Sequence, residues 1–354
     1  GRRLSPWAGV CENDMGWGFC RCPLCRALDS EKDTARFGDY LTYDPFLTDR
    51  DVYLANAVAR GIRRHDPAAG AVLYAYNQTE LPPRAQTVDP NVLVGVVPTT
   101  VNLDKLERLF SGWRAAGARQ LFLRPNYHVY YYTTALPMGF EKQMFDAFQI
   151  AVRHGAIAAD YDSMQGIWPV TGIADYILAK AFSEPDRPFD HWETHYTDAF
   201  GPAAAAVKAY FRYWRESLWE QRLLPDLDAL AERGKYYNFA RGVMWSLDQY
   251  YTAADFDRTD ALLEAASAAA LSPSQRGLLE QLILANRHTR LVFEAVTAKG
   301  SDRFKPALAL LAFRRRHREA LRLPWLALFD REMYWGDITG IQTAIALQDY
   351  PLPW

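Results

Sequence analysis

Five short apolar runs, most of them followed by a stretch of helical period, fill the first half of this chain. That alternation restricts its fold more than any other feature. Residues 7–12 read as a buried strand, and 51–64 as a helix with Val52, Leu54, Ala55, Val58, Ala59 and Ile62 on one side. Strands follow at 71–76, 91–97, 120–123 and 156–160. Asn102 caps a helix that Gly117 ends, and a helix from about 141 to 154 is ended by Gly155. Strands separated by helices at this spacing predict an α/β fold with a parallel sheet or barrel. Five strands are three short of the eight of a TIM barrel. Either an N-terminal part is absent, or the sheet is open.

The pattern changes near Phe189. Beyond it, helices are predicted at about 190–200, 203–221, 227–233, 238–253, 254–270, 273–299 and 305–321, with Gly201-Pro202 as a break. The expected organisation is a partial (β/α) barrel, TIM-like and lacking its N-terminal strands, over 1–186. An all-α C-terminal domain covers 187–354, after a linker at 184–188.

Composition bounds the function classes. Hydrophobic residues make 49% and charged residues 23%, so the chain is globular. The formal net charge is -2, and Arg314, Arg315, Arg316, His317 and Arg318 form the one dense basic run. It reads as a solvated helix face, so no nucleic-acid partner is expected. No apolar run approaches the ~18 residues of a membrane span. The N-terminus lacks an initiator Met and the apolar core of a signal peptide, so the chain reads as a processed form or a fragment. Aromatic residues reach 14%, which suits a sugar-binding cleft or a large helical core.

Barrel enzymes keep their chemistry just after the strands. Here those positions supply Glu12, Asn13 and Asp14, then Tyr76, Asn77 and Glu80. Later strands supply Asn126, Tyr127 and His128, and then Asp160, Asp162, Gln165 and Trp168. There is no phosphate loop, serine-hydrolase elbow or zincin motif. Carboxylates among aromatics suit glycoside hydrolysis, which needs an acid for the leaving oxygen and a second group at the oxocarbenium-like centre. Asp14, Glu12 and Asp162 are the candidate catalytic residues. Asn13, Trp17, Tyr76, Tyr127, His128 and Trp168 are the candidate sugar contacts. Where the sugar's own acetamide attacks, two adjacent polar groups suffice, and the Glu12-Asn13-Asp14 cluster fits that variant.

All four cysteines, Cys11, Cys20, Cys22 and Cys25, fall within fifteen positions. A zinc site, a disulfide with spare thiols, and reduced cysteines packed under the loop are the alternatives. No other cofactor is implied.

The pattern N-D-x-G-x-G-F-C-x-C-x-x-C-x-A-L-D at 13–29 resembles the signature segment of the domain of unknown function 4838. Part of that family is classed as glycoside hydrolase family 163, endo-β-N-acetylglucosaminidases acting on N-glycans. Further matches follow in order: Asn56-Ala57-Val58-Ala59, Ala75-Tyr76, Pro82-Pro83, the 91–97 strand, Gly166-Ile167-Trp168-Pro169, Tyr176 to Lys180, and Phe200-Gly201-Pro202-Ala203-Ala204. The resemblance covers about 7–220. It implies a TIM-like barrel with a helical C-terminal region, a retaining substrate-assisted mechanism, a glycan or glycoprotein partner, and a secreted or periplasmic location. Asn13 and Asp14 match the motif; Glu12 departs from it and rests on its strand-end position. A non-catalytic carbohydrate-binding protein on a degenerate barrel is the alternative, and a metal-dependent hydrolase built on the cysteines is a third class.

Overall fold

A computed structural model describes residues 6–11, 18–31, 46–98, 101–127, 136–162, 168–234, 239–322, 328, 332 and 336–347. The chain divides into two compact units. One holds Gly1–Tyr127 and Asp146–Asp162; the other holds His128–Phe145 and Ser163–Trp354.

The first unit contains a five-stranded sheet: β1 (Trp7–Gly9), β2 (Gly70–Ala75), β3 (Val92–Val96), β4 (Gln120–Leu123) and β5 (Ala156–Ala159). The spatial order is β1-β2-β3-β4-β5, and every neighbouring pair is parallel. The chain is therefore α/β, as the alternation predicts. Parallel neighbours need crossovers. Helix α1 (Pro23–Arg26) and helix α2 (Thr48–Arg63) lie between β1 and β2, and α3 (Leu103–Ala115) between β3 and β4. Helix α4 (Glu141–Arg153) precedes β5. Between β2 and β3 the ordered element is a 3-10 turn, Asn77–Thr79.

Local chemistry sets the ends of these elements. Asn102 accepts from the Lys105 backbone N–H at 3.1 Å and starts α3. Gly117 and Gly155 take positive φ after α3 and α4. Ala71, Leu73 and Ala75 of β2 alternate inward and are fully buried, as are Val52, Ala55 and Ala59 of α2, which packs on β2. In β3, Gly95 pairs with Tyr74 on one side and Phe122 on the other. The two rings meet edge to face at 5.9 Å. A Cβ on Gly95 would stand 2.3 Å from the Phe122 ring, so only glycine leaves room for that contact.

The second unit is mostly helical. It runs through α5 (Trp168–Ser183), α6 (Phe189–Asp198), α7 (Ala204–Tyr213), α8 (Leu227–Arg233), α9 (Phe239–Trp245) and α10 (Leu247–Tyr250). The later helices are α11 (Ala253–Ser267), α12 (Pro273–Thr297), α13 (Phe304–Leu321) and α14 (Ile341–Leu347). Helix α7 continues in π-helical turns over Trp214–Leu223. Aromatic side chains fill this core. Trp219 meets Phe140 at 4.7 Å and Trp214 meets Phe256 at 5.5 Å, while the Tyr251 hydroxyl donates to the Pro137 carbonyl at 2.9 Å.

Two buried arginines are paired with buried carboxylates, which offsets the cost of burying their charge. Arg215 reaches Glu141 at 3.3 Å and Glu193 at 2.5 Å. Arg314 departs from the solvated-face expectation. It is 2% exposed and pairs with Glu332 through two hydrogen bonds, at 2.9 and 2.6 Å. Its Nε also donates to His288 at 3.0 Å. Burial and the adjacent Arg314 charge hold His288 well below the ordinary histidine range. No described helix is long and apolar enough to cross a membrane.

Candidate functional site

All five strands run in one direction, so their C-terminal ends share one edge of the sheet. Ligands of parallel sheets bind at that edge. After β1, the Val10 N–H donates to the Val72 carbonyl at 2.8 Å and the Cys11 thiol contacts the same oxygen at 3.8 Å. Glu12, Asn13, Asp14 and Trp17 come next in sequence and lie outside the described residues, as does His128.

After β2 the chain turns through Tyr76 and Asn77. Asn77 has φ 51°, a left-handed conformation that asparagine tolerates better than most residues. Thr79 closes the turn by accepting from the Tyr76 N–H at 3.2 Å. Glu80 follows and is fully buried, with its carbonyl accepting from the Trp113 indole at 3.0 Å. Burial, and secondarily the nearby Glu80 carboxylate, push the Tyr127 hydroxyl well above its ordinary range. Burial, with Tyr127 close by, does the same to Tyr161. Glu80, Tyr127 and Tyr161 thus form a group drawn from the ends of β2, β4 and β5.

A second group surrounds Arg124. Its guanidinium lies 3.2 Å from Asp160 and 3.6 Å from Asp162, donates to Asn126 at 3.0 Å, and covers the Tyr74 ring at 5.2 Å. Asp162 is therefore an ion-paired acid beside another acid. Trp168 was expected in the loop after β5. It is instead the first residue of α5, 43% exposed, and it lies in the second unit.

Two carboxylates that sequence reasoning passed over are pushed up to about 6 by the protein crowding them. They are Asp51 on α2, where Arg50 opposes the effect, and Asp175 on α5. Asp51 is half-buried and Asp175 is solvent-exposed, so neither is sealed in a core. Neither position carries a motif; the acidic first turn of α2 is the only sequence trace of Asp51.

The cysteine loop is held by α2. Arg50 donates to both Asp29 carboxylate oxygens, at 3.0 and 2.6 Å, and to the Cys20 carbonyl at 2.9 Å. Beside it, buried Asp49 accepts from the backbone N–H groups of Arg84, Ala85 and Gln86 at 3.1, 2.8 and 2.7 Å, and from the Ser30 hydroxyl. All four cysteines are free thiols. Cys11, Cys20 and Cys22 are exposed and Cys25 is half-buried. The Sγ atoms of Cys20, Cys22 and Cys25 converge within 4.8 Å of one another, and Cys11 stands outside that group. The Cys25 backbone N–H, donating at 3.4 Å, and then the neighbouring thiols draw Cys22 down to about 7. Cys20 and Cys22 push Cys25 up to about 11.

Comparisons with curated proteins and with solved structures returned no match. The model of one family, Domain of unknown function (DUF4838), matches residues 5–212, more than half of the chain. The chain is therefore a member of the DUF4838 family.

Proposed function

We propose that this chain is a glycoside hydrolase-like protein acting on N-acetylhexosamine-containing glycans by a retaining, substrate-assisted mechanism. The carrying observation is the strand order. The sheet is all parallel and sequential, and its shared C-terminal edge bears Tyr76, Glu80, Arg124, Tyr127, Asp160 and Asp162. A doubly wound sheet reverses its order at a switch point; this one does not. Crossovers of one hand then put their helices on one face, as in an arc of a (β/α) barrel. The barrel is part of this proposal. The resemblance of the 13–29 segment to glycoside hydrolase family 163 supports the substrate class.

In this mechanism Asp14 is the acid or the acetamide-orienting group, with Glu12 as its partner. The acetamide oxygen of the substrate attacks the anomeric carbon as the leaving oxygen is protonated, and water then attacks that carbon from the face the leaving group vacated, breaking the bond to the acetamide oxygen with net retention. Tyr76, half-buried at the end of β2, lines the sugar site. Arg124 engages both Asp160 and Asp162, which favours a supporting role for Asp162. The same engagement favours glycan binding without turnover as the second reading.

Hydrolysis of aryl N-acetylglucosaminides and of N-glycoproteins by wild type, Asp14→Asn and Asp162→Asn tests this. The expected result is turnover by wild type, a loss of about 10²-fold or more in Asp14→Asn, and a smaller loss in Asp162→Asn. Full activity in Asp14→Asn removes that residue from the chemistry. Glycan binding with no turnover selects the second reading.

A further inference from the structure

We propose that Cys20, Cys22 and Cys25 form a zinc site at the start of α1. Three thiol sulfurs already lie within 4.8 Å of one another. Tetrahedral zinc with Zn–S bonds of ~2.3 Å sets its sulfurs ~3.8 Å apart, so a small contraction completes the set.

The local backbone is shaped for it. Cys22 holds an extended conformation, Pro23 then opens α1, and the turn brings Cys25 back over Cys22. The Cys25 N–H donates to the Cys22 sulfur at 3.4 Å, a contact that orients a sulfur ligand and stabilises its charged form. The loop is anchored from outside as well. Arg50 grips Asp29 beyond the last cysteine and the carbonyl of Cys20, the first of the three. The sulfurs are thus held together before any ion arrives, which lowers the ordering cost of binding.

The donor chemistry selects the ion. Thiolates favour zinc over magnesium or calcium, which prefer oxygen. Three sulfurs leave one of the four positions for water, and the exposure of Cys20 and Cys22 gives solvent that access. No redox step is involved; binding releases thiol protons to the buffer. This site is independent of the glycosidase proposal and stands or falls separately.

The test is elemental analysis of the full chain purified with zinc in reducing, chelator-free buffer, paired with cobalt substitution. About one zinc per chain is expected, together with an intense sulfur-to-cobalt charge-transfer band. Both should vanish in Cys22→Ser and persist in Cys11→Ser, whose thiol is outside the group. Circular dichroism checks that each variant folds, and the wild-type cobalt spectrum is decisive even where a variant fails. Zinc content at the buffer background overturns the proposal. So does equal metal loss in Cys11→Ser, or a thiol titration showing two of the three sulfurs consumed in a disulfide.

Discussion

Gly95 shows how one residue carries a constraint across three strands. Tyr74 and Phe122 meet above it, and any larger side chain must displace the Phe122 ring. Gly95→Val should cost about 2 kcal/mol through overpacking, read as a lower denaturant midpoint with unchanged slope. A midpoint equal to wild type would contradict the packing described. At this scale, what the sequence reveals is what acts locally. Asn102 as a cap and Gly117 and Gly155 as stops are legible because the group each one serves lies within a turn of it. Arg124 is not legible as a hub, because Asp160 and Asp162 reach it from the end of the next strand, brought there by the sheet alone. The grip of Arg50 on Asp29 and Cys20 is hidden for the same reason.

Among elements, the strands and the amphipathic helices α2, α3 and α4 could be read from period. Helix α5 could not. It buries Val170, Thr171, Ile173, Ala174, Ile177, Leu178 and Ala181, so it is apolar around most of its surface and has no polar stripe to mark it. The span 238–253, expected as one helix, breaks at Ser246, whose hydroxyl bonds back to the Gly242 carbonyl at 2.6 Å. Helix α11 depends on Asp255, which closes a capping box with Thr252 and accepts from Arg222 at 2.8 and 2.9 Å and from the Tyr213 hydroxyl at 2.6 Å. Burial works against its charge, but the Arg222 bonds outweigh that and hold Asp255 below the ordinary 3.8. A carboxyl depressed in the fold stabilises above its unfolded value, and that stability is lost as pH falls through the folded one. Asp255→Asn should therefore lower stability at neutral pH by about 2 kcal/mol. It should also flatten the acid limb below about pH 4, as thermal melts across pH would show. An unchanged acid limb would mean that Asp255 does not carry it.

At the scale of the molecule, the alternating pattern gave way to a parallel sheet in sequential order, and the helical half to a unit packed with aromatic rings. The high aromatic content had two readings, and much of it is spent on cores: Trp113, Trp214 and Trp219 lead the fully buried side chains. The shared strand edge was legible because parallel strands expose their C-terminal ends together. The pairing of Asp162 with Arg124 and the burial of Glu80 were not legible, since both are properties of the assembled edge. The proposed chemistry has a stereochemical signature. Attack by the substrate's acetamide followed by water requires two inversions at the anomeric carbon. The direct measurement is proton NMR of the first sugar released from an N-glycan by the wild-type chain. Retention of anomeric configuration is predicted; an inverted sugar, or a glycan left uncut, would contradict it.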